Sequence, residues 1–165
     1  MPEEKIDIKI IENFKSKVLN NSRNIRIYLP PSYLKKKNKF YPVLYVHDGQ
    51  NVFYGEESFS GESWNLHQTA EELIKKDLIE EIIIVAADNM EEERLSEYAH
   101  QDGVYKGKKV RAKGFNYEKF IVRELMPFIE ENYRVKTDRE NTAMMGSSMG
   151  GLVTFNIGMR RTDLF

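Results

Sequence analysis

The sequence contains no cysteine. That excludes a disulfide framework, a thiolate nucleophile and cysteine-bound zinc, so any nucleophile must be oxygen or nitrogen. An excess of either charge is missing too. The 25 basic and 26 acidic residues leave a formal charge of -1, which provides no global positive field to hold a nucleic acid or an anionic membrane surface. No apolar run approaches the roughly 20 residues that a membrane-spanning helix needs. The first residues, Met1-Pro2-Glu3-Glu4-Lys5, are polar and acidic where a secretory leader would be basic and then apolar, so a cytoplasmic location is expected. Internal repeats, low-complexity tracts and linkers are also lacking.

What remains is the balance of an ordinary globular protein, 41% hydrophobic and 31% charged over 165 residues, enough for a single domain with its own core. Two basic runs, Lys35-Lys36-Lys37-Asn38-Lys39 and Lys106 to Arg111, lie among turn residues and read as solvated loops. Apolar and polar residues alternate over Ile6 to Ile11 and again at Ile25, Ile27 and Leu29, the pattern of half-exposed antiparallel strands, until Pro30-Pro31 ends the ladder. Val43 to Val46, Ile82 to Ala86 and Thr142 to Met145 are instead continuous apolar runs, as in parallel strands covered on both faces. Leu66, Ala70, Leu73 and Ile74 keep helical spacing, and so do Phe120, Ile121, Leu125, Phe128 and Ile129, where Pro127 should bend the helix. Met149 to Arg161 is expected to form the last helix. The alternation implies an α/β fold with a mainly parallel central sheet and antiparallel N-terminal strands. Asp88 to Phe115 shows no period and reads as a long loop, usually a functional or mobile element.

After the third apolar strand comes Gly146-Ser147-Ser148-Met149-Gly150-Gly151, which fits G-x-S-x-G at a strand-to-helix turn. The chemistry needs small residues on both sides because the serine sits on a sharp turn where neighbouring side chains would collide. Such a turn aims the first amides of the helix at the serine, so the backbone N–H of Met149 is a candidate oxyanion donor. The same residues could form a glycine-lined turn in which a serine only caps the helix. A phosphate-binding loop would need a lysine and a following hydroxyl that this stretch lacks.

Several segments in order resemble the esterases related to enterochelin esterase and esterase D within the α/β hydrolases. They are Arg26-Ile27-Tyr28-Leu29-Pro30-Pro31-Ser32-Tyr33, Tyr41 to Asn51 with its His47-Asp48-Gly49-Gln50-Asn51 end, Arg94 with Glu97-Tyr98, Glu124 to Ile129 with Tyr133, and the Gly146 to Gly151 turn. The resemblance covers most of the chain from about Arg23 onward. It implies acyl-ester hydrolysis through an acyl-serine intermediate, with Ser148 as nucleophile, the Met149 and Gln50 amides as oxyanion donors, and no cofactor. It also marks His47, Asp48, Gly49, Arg94 and Tyr98 as residues around the binding pocket. Asp48-Gly49 is a turn that exposes amides at a sheet's carboxyl edge, in line with that role, although an ordinary strand-ending turn would look the same.

In this family the acid and histidine of the triad follow the serine, whereas His47, His67 and His100 all precede Ser148. His47 is expected to fix a loop near the pocket, and His67 and His100 to lie on the surface or in loops. No histidine pair has the spacing of a metal motif, and no metal is expected. Asp163 would lie about 20 Å from Ser148 along the same helix, too far to orient a base. The expectation is therefore a single α/β-hydrolase domain over 1–165, truncated after the nucleophile helix and without its C-terminal strands. Alone it would be weakly active or inactive, with self-association through the unpaired sheet edge. A small acyl ester is the expected partner, and Tyr54, Trp64, Tyr98 and Tyr105 would favour aromatic or sugar-bearing esters. The competing reading is a non-catalytic binding protein on a hydrolase scaffold.

Overall fold

A computed structural model describes residues 8–165. The polar start of the chain and the first two residues of the first expected strand, Ile6 and Asp7, lie outside the described residues. Among the described residues, seven strands and five α-helices follow in the order β1 (Ile8–Ser16), β2 (Asn21–Tyr28), β3 (Val43–His47), α1 (Leu66–Lys75), β4 (Ile83–Ala87), α2 (Arg94–Tyr98), β5 (Gly103–Tyr105), β6 (Lys108–Val110), α3 (Gly114–Phe120), α4 (Met126–Asn132), β7 (Thr142–Met145) and α5 (Met149–Arg160). Five strands form one sheet in the order β1-β2-β4-β3-β7. β1 and β2 are antiparallel, and β2 is antiparallel to β4. β3 runs parallel to both β4 and β7. The mixed sheet matches the expected class.

The apolar run of β4 follows from its central place. Ile83, Val85 and Ala87 point to a core built with α3, α4 and α5, while Ile84 and Ala86 point to a second core with Phe53 and Ala70 of α1. A strand covered on both faces has no position that favours a polar residue. β7 departs from that expectation. Ala143 and Met145 are exposed, because no helix packs on their side of the strand among the described residues.

Between α3 and α4 the backbone widens into a π-turn, Ile121–Leu125, and Pro127 falls at the start of α4. Proline has no N–H to give and its ring crowds the preceding turn; a π-turn just before it absorbs both faults without ending the helix. The expected loop from Asp88 to Phe115 holds α2 and the small β5–β6 hairpin instead. Lys106 and Gly107 both take positive φ at its tip, 48° and 76°, as a two-residue hairpin turn requires.

Candidate functional site

β3 and β7 are neighbours in register, Val46 opposite Met145, so the loops leaving their carboxyl ends lie side by side. On the β7 side, Ser148 has φ 54° and ψ -122°, a conformation that side chains rarely adopt and that marks a sharp, strained turn. Gly146 is required sterically, and Gly150 lies close against the Asp48 carboxylate. A Cβ on Gly146 would stand 2.4 Å from the Gly150 carbonyl oxygen, and one on Gly150 would stand 2.9 Å from Asp48 Oδ2. The turn leaves Ser148 exposed, with Met149 opening α5.

On the β3 side, Asp48 is in the left-handed region, φ 59° and ψ 49°. Gly49 is buried, where a Cβ would meet Asp88 Oδ1 at 2.5 Å. Arg94 Nε and Nη2 donate to the two Asp48 carboxylate oxygens at 2.6 and 2.9 Å, and Asn89 Nδ2 donates to Asp48 Oδ1 at 2.7 Å. The Gln50 side chain is bound to Asn89 and does not reach toward the serine. Among the described residues, neither the Gln50 nor the Met149 backbone N–H donates to a protein acceptor. A cleft of about 320 Å³ opens over these loops, lined by Ser147, Ser148, Asp48, Arg94, Asn51 and Trp64.

His47 and Tyr98 lie beneath the cleft, both essentially out of solvent. His47 Nδ1 and the Tyr117 hydroxyl are 2.9 Å apart, and the Asp48 backbone N–H donates to the Tyr98 hydroxyl at 3.2 Å. Burial pulls the His47 imidazole down to about 4, so it is neutral near pH 7. His67, expected on the surface or in a loop, is instead fully buried in α1 with the Phe53 and Tyr54 rings against it. Its apolar stacking surface replaces the solvent contact that the polar ring predicted. His100 packs on Phe115, and Asp163 pairs with Arg161 beyond the end of α5. None of the three histidines lines the cleft. No group of three or more histidine, aspartate or glutamate side chains among the described residues is arranged to hold a metal ion.

The structure thus brings Ser148, Asp48 and Arg94 to one cleft, with Met149, Gly49 and Gln50 in the loops that frame it. Tyr105, on the exposed β5–β6 hairpin, does not line it. Asn89 escaped sequence reasoning, and Asn51 was read only as the end of the His47 to Asn51 loop. The signal for Asn89 was its place just beyond the carboxyl end of a buried strand, where α/β proteins gather their polar site groups.

Residues 16–165 match the model of a family described as Putative esterase. The chain is 31% identical over 159 residues to an endo-1,4-beta-xylanase/feruloyl esterase of Xylanibacter ruminicola, covering 92% of this chain and 20% of that protein. It is 26% identical over 147 residues to the uncharacterized protein YbbA of Bacillus subtilis, covering 87% of this chain and 54% of that one. Among solved structures, the ferulic acid esterase from Anaeromyces mucronatus superposes with a TM-score of 0.70 at 29% identity, over 100% of this chain and 59% of its own. An IroE-like serine hydrolase from Shewanella oneidensis superposes with a TM-score of 0.78 at 24% identity, over 96% of this chain and 48% of its own, a likeness of fold. The chain spans about half or less of the length of the curated relatives named here. No helix of the described residues is long and apolar enough to cross a membrane.

Proposed function

The chain belongs to the Putative esterase family and has the α/β-hydrolase fold, and we propose that it carries the nucleophile and oxyanion half of a serine carboxylic ester hydrolase. One observation supports this above the rest: Ser148 is held in a strained backbone conformation at the tip of the β7–α5 turn, with its side chain exposed to a cleft. A serine that only capped the helix would not need positive φ or glycines pressed against each other.

In this reading Ser148 Oγ attacks the ester carbonyl carbon and gives up its proton to a base. The carbonyl oxygen becomes an anion, and the Met149 and Gln50 backbone N–H groups donate to it. Collapse of the tetrahedral adduct breaks the carbonyl carbon–oxygen bond, the alcohol leaves with the proton, and water then hydrolyses the acyl-serine. His47 is not the base in this reading, because its Nδ1 is engaged with Tyr117 and its ring lies beneath the cleft. The family pattern puts that histidine after the serine in sequence. By itself this chain is then a slow catalyst, since removing triad members costs several orders of magnitude. The feruloyl esterase relatives, with Trp64 in the cleft, favour an ester with an aromatic acyl group.

A binding protein on the hydrolase scaffold would keep the same turn and cleft without the chemistry. Labelling with a fluorophosphonate, read by intact mass, separates the two. The esterase reading expects one adduct, absent in Ser148→Ala and kept in Ser147→Ala. An adduct that survives Ser148→Ala overturns it, and so does a wild type still unlabelled after prolonged incubation with excess probe, since without its base the serine reacts slowly.

A further inference from the structure

We infer that Asn89 is a positioning residue that clamps the loop of residues 48–51 and so fixes the direction of the Gln50 backbone N–H; the inference rests on the esterase reading above. Asn89 lies two residues beyond β4, and its hydrogen-bonding groups are committed to the loops around it. Its backbone N–H donates to Gln50 Oε1 at 2.9 Å, and its carbonyl oxygen and Oδ1 each accept from Gln50 Nε2 at 3.2 Å. Nδ2 donates to Asp48 Oδ1 at 2.7 Å, and Oδ1 also accepts the Glu91 backbone N–H at 2.9 Å. Asp48 and Gln50, on either side of Gly49, are therefore both tied to Asn89, Asp48 through the Asn89 Nδ2 and Gln50 through the Asn89 backbone and Oδ1. Gly49, wedged against Ala87 and Asp88, leaves that peptide little room to rotate. The Gln50 N–H itself has no protein acceptor among the described residues. The arrangement leaves one donor free while immobilising its neighbours, which is what a preorganised oxyanion donor needs.

The chemistry of the position specifies asparagine. A carboxylate accepts only, so the group facing Asp48 must be a donor, while the group facing Gln50 Nε2 and the Glu91 N–H must be an acceptor. Alanine supplies neither. Aspartate supplies the acceptor, but when ionised it sets a second negative charge against Asp48. Once protonated, its carboxyl can donate as the amide does. The charged groups facing this position are Asp48 and Arg94 across the loop and the Asp88–Arg26 pair beside it. Asp48 would raise the pKa of a carboxyl placed there, against the pull of the two arginines.

The test is the rate of fluorophosphonate labelling against reagent concentration, at about pH 7.5 and about pH 5.5, for wild type, Asn89→Ala and Asn89→Asp, with Ser148→Ala as blank. In Asn89→Ala the limiting rate should fall about 10- to 100-fold with half-saturation little changed, because a misdirected donor weakens the transition state and not the encounter. In Asn89→Asp the rate relative to wild type should be low at the higher pH and recover at the lower. An unchanged limiting rate in Asn89→Ala, or losses in the two variants that are equal at both pH values, overturns the clamp. Amide exchange keeps the clamp separable from the esterase reading. The Asp48, Asn51 and Val52 N–H groups, bonded to Tyr98, Asp48 and Gly49, should exchange faster in Asn89→Ala even if no protein is labelled. Unchanged exchange overturns the clamp, whereas a wild type still unlabelled after prolonged incubation with excess probe overturns the esterase reading.

Discussion

Arg23 and Glu97 meet as two parallel forks, Nη1 to Oε2 at 2.9 Å and Nη2 to Oε1 at 2.8 Å, with both side chains essentially free of solvent. The guanidinium also stacks on Phe120, 4.7 Å from its centroid, and Asn21 bridges to the carboxylate at 2.9 Å. Burial alone would lower the pKa of Arg23, but the Glu97 hydrogen bonds and charge outweigh it and hold the group charged. The pair anchors α2 to β2, and α2 carries Arg94 to the cleft.

Glu97→Ala should therefore lower unfolding free energy by about 3–5 kcal/mol, since it strands a buried positive charge. Urea denaturation measures this. A loss no larger than that of an exposed pair, such as Lys76 with Glu72, would mean that water reaches Arg23.

Gly146 and Gly151 should respond differently to alanine. At Gly146 the new Cβ would overlap the Gly150 backbone, with contacts of 2.4 and 2.5 Å, so Gly146→Ala should cost about 1–3 kcal/mol and eliminate labelling of Ser148. At Gly151 the tightest contact is 3.3 Å, and a gain of roughly 1 kcal/mol in helix propensity offsets it, which makes Gly151→Ala near neutral. Melting curves and labelling of the two variants side by side check this.

The histidines set a pH dependence with a definite sign. Burial, reinforced by Arg94 and opposed by Asp48, holds the His47 imidazole down to about 4, whereas the unfolded chain takes up that proton near pH 6.5. Stability is full above that range and falls as pH drops from about 6.5 to about 4, by on the order of 3 kcal/mol for this group. His67 and His100, also lowered by burial, push the same way. Urea midpoints at several pH values should show the loss, and His47→Gln should flatten it.

At the sheet's other end, the outer edge of β7 pairs with no strand among the described residues, and Leu152, Phe155 and Met159 of α5 are exposed. An open edge beside apolar side chains favours pairing with another copy. Sedimentation velocity across a concentration series should show self-association, weakened by Phe155→Lys. A monodisperse monomer at every concentration would count against it.

The sheet was legible where physics acts locally. Val43 to Val46 and Ile82 to Ala86 announced themselves because burial on two faces leaves only apolar residues, and the structure shifts the second run by a single residue; Thr142 to Met145 reads the same way although one face of β7 is exposed. The Ser148 turn was legible because Gly146 is compulsory. The β5–β6 hairpin was not, since its strands are three residues long and Val104 and Tyr105 are exposed, leaving no alternation to read. Arg23 was invisible as a core residue because its partner lies 74 positions away, and only tertiary pairing makes such a charge tolerable inside. The same distance effect hid the contacts of Asn89 with Asp48 and Gln50.

The register between β3 and β7 makes the sheet a ruler for the proposed site. The serine and the amide opposite it leave adjacent strands from the paired positions Met145 and Val46, so their spacing is set by backbone hydrogen bonds and not by which side chains fill the core. Exchanging one apolar residue for another along these strands leaves the ruler unchanged. Inserting or deleting one residue in either strand moves one loop by about 3.3 Å and turns alternate side chains to the opposite face. A length change should therefore be tolerated in a segment such as the exposed β5–β6 hairpin and not in β3 or β7.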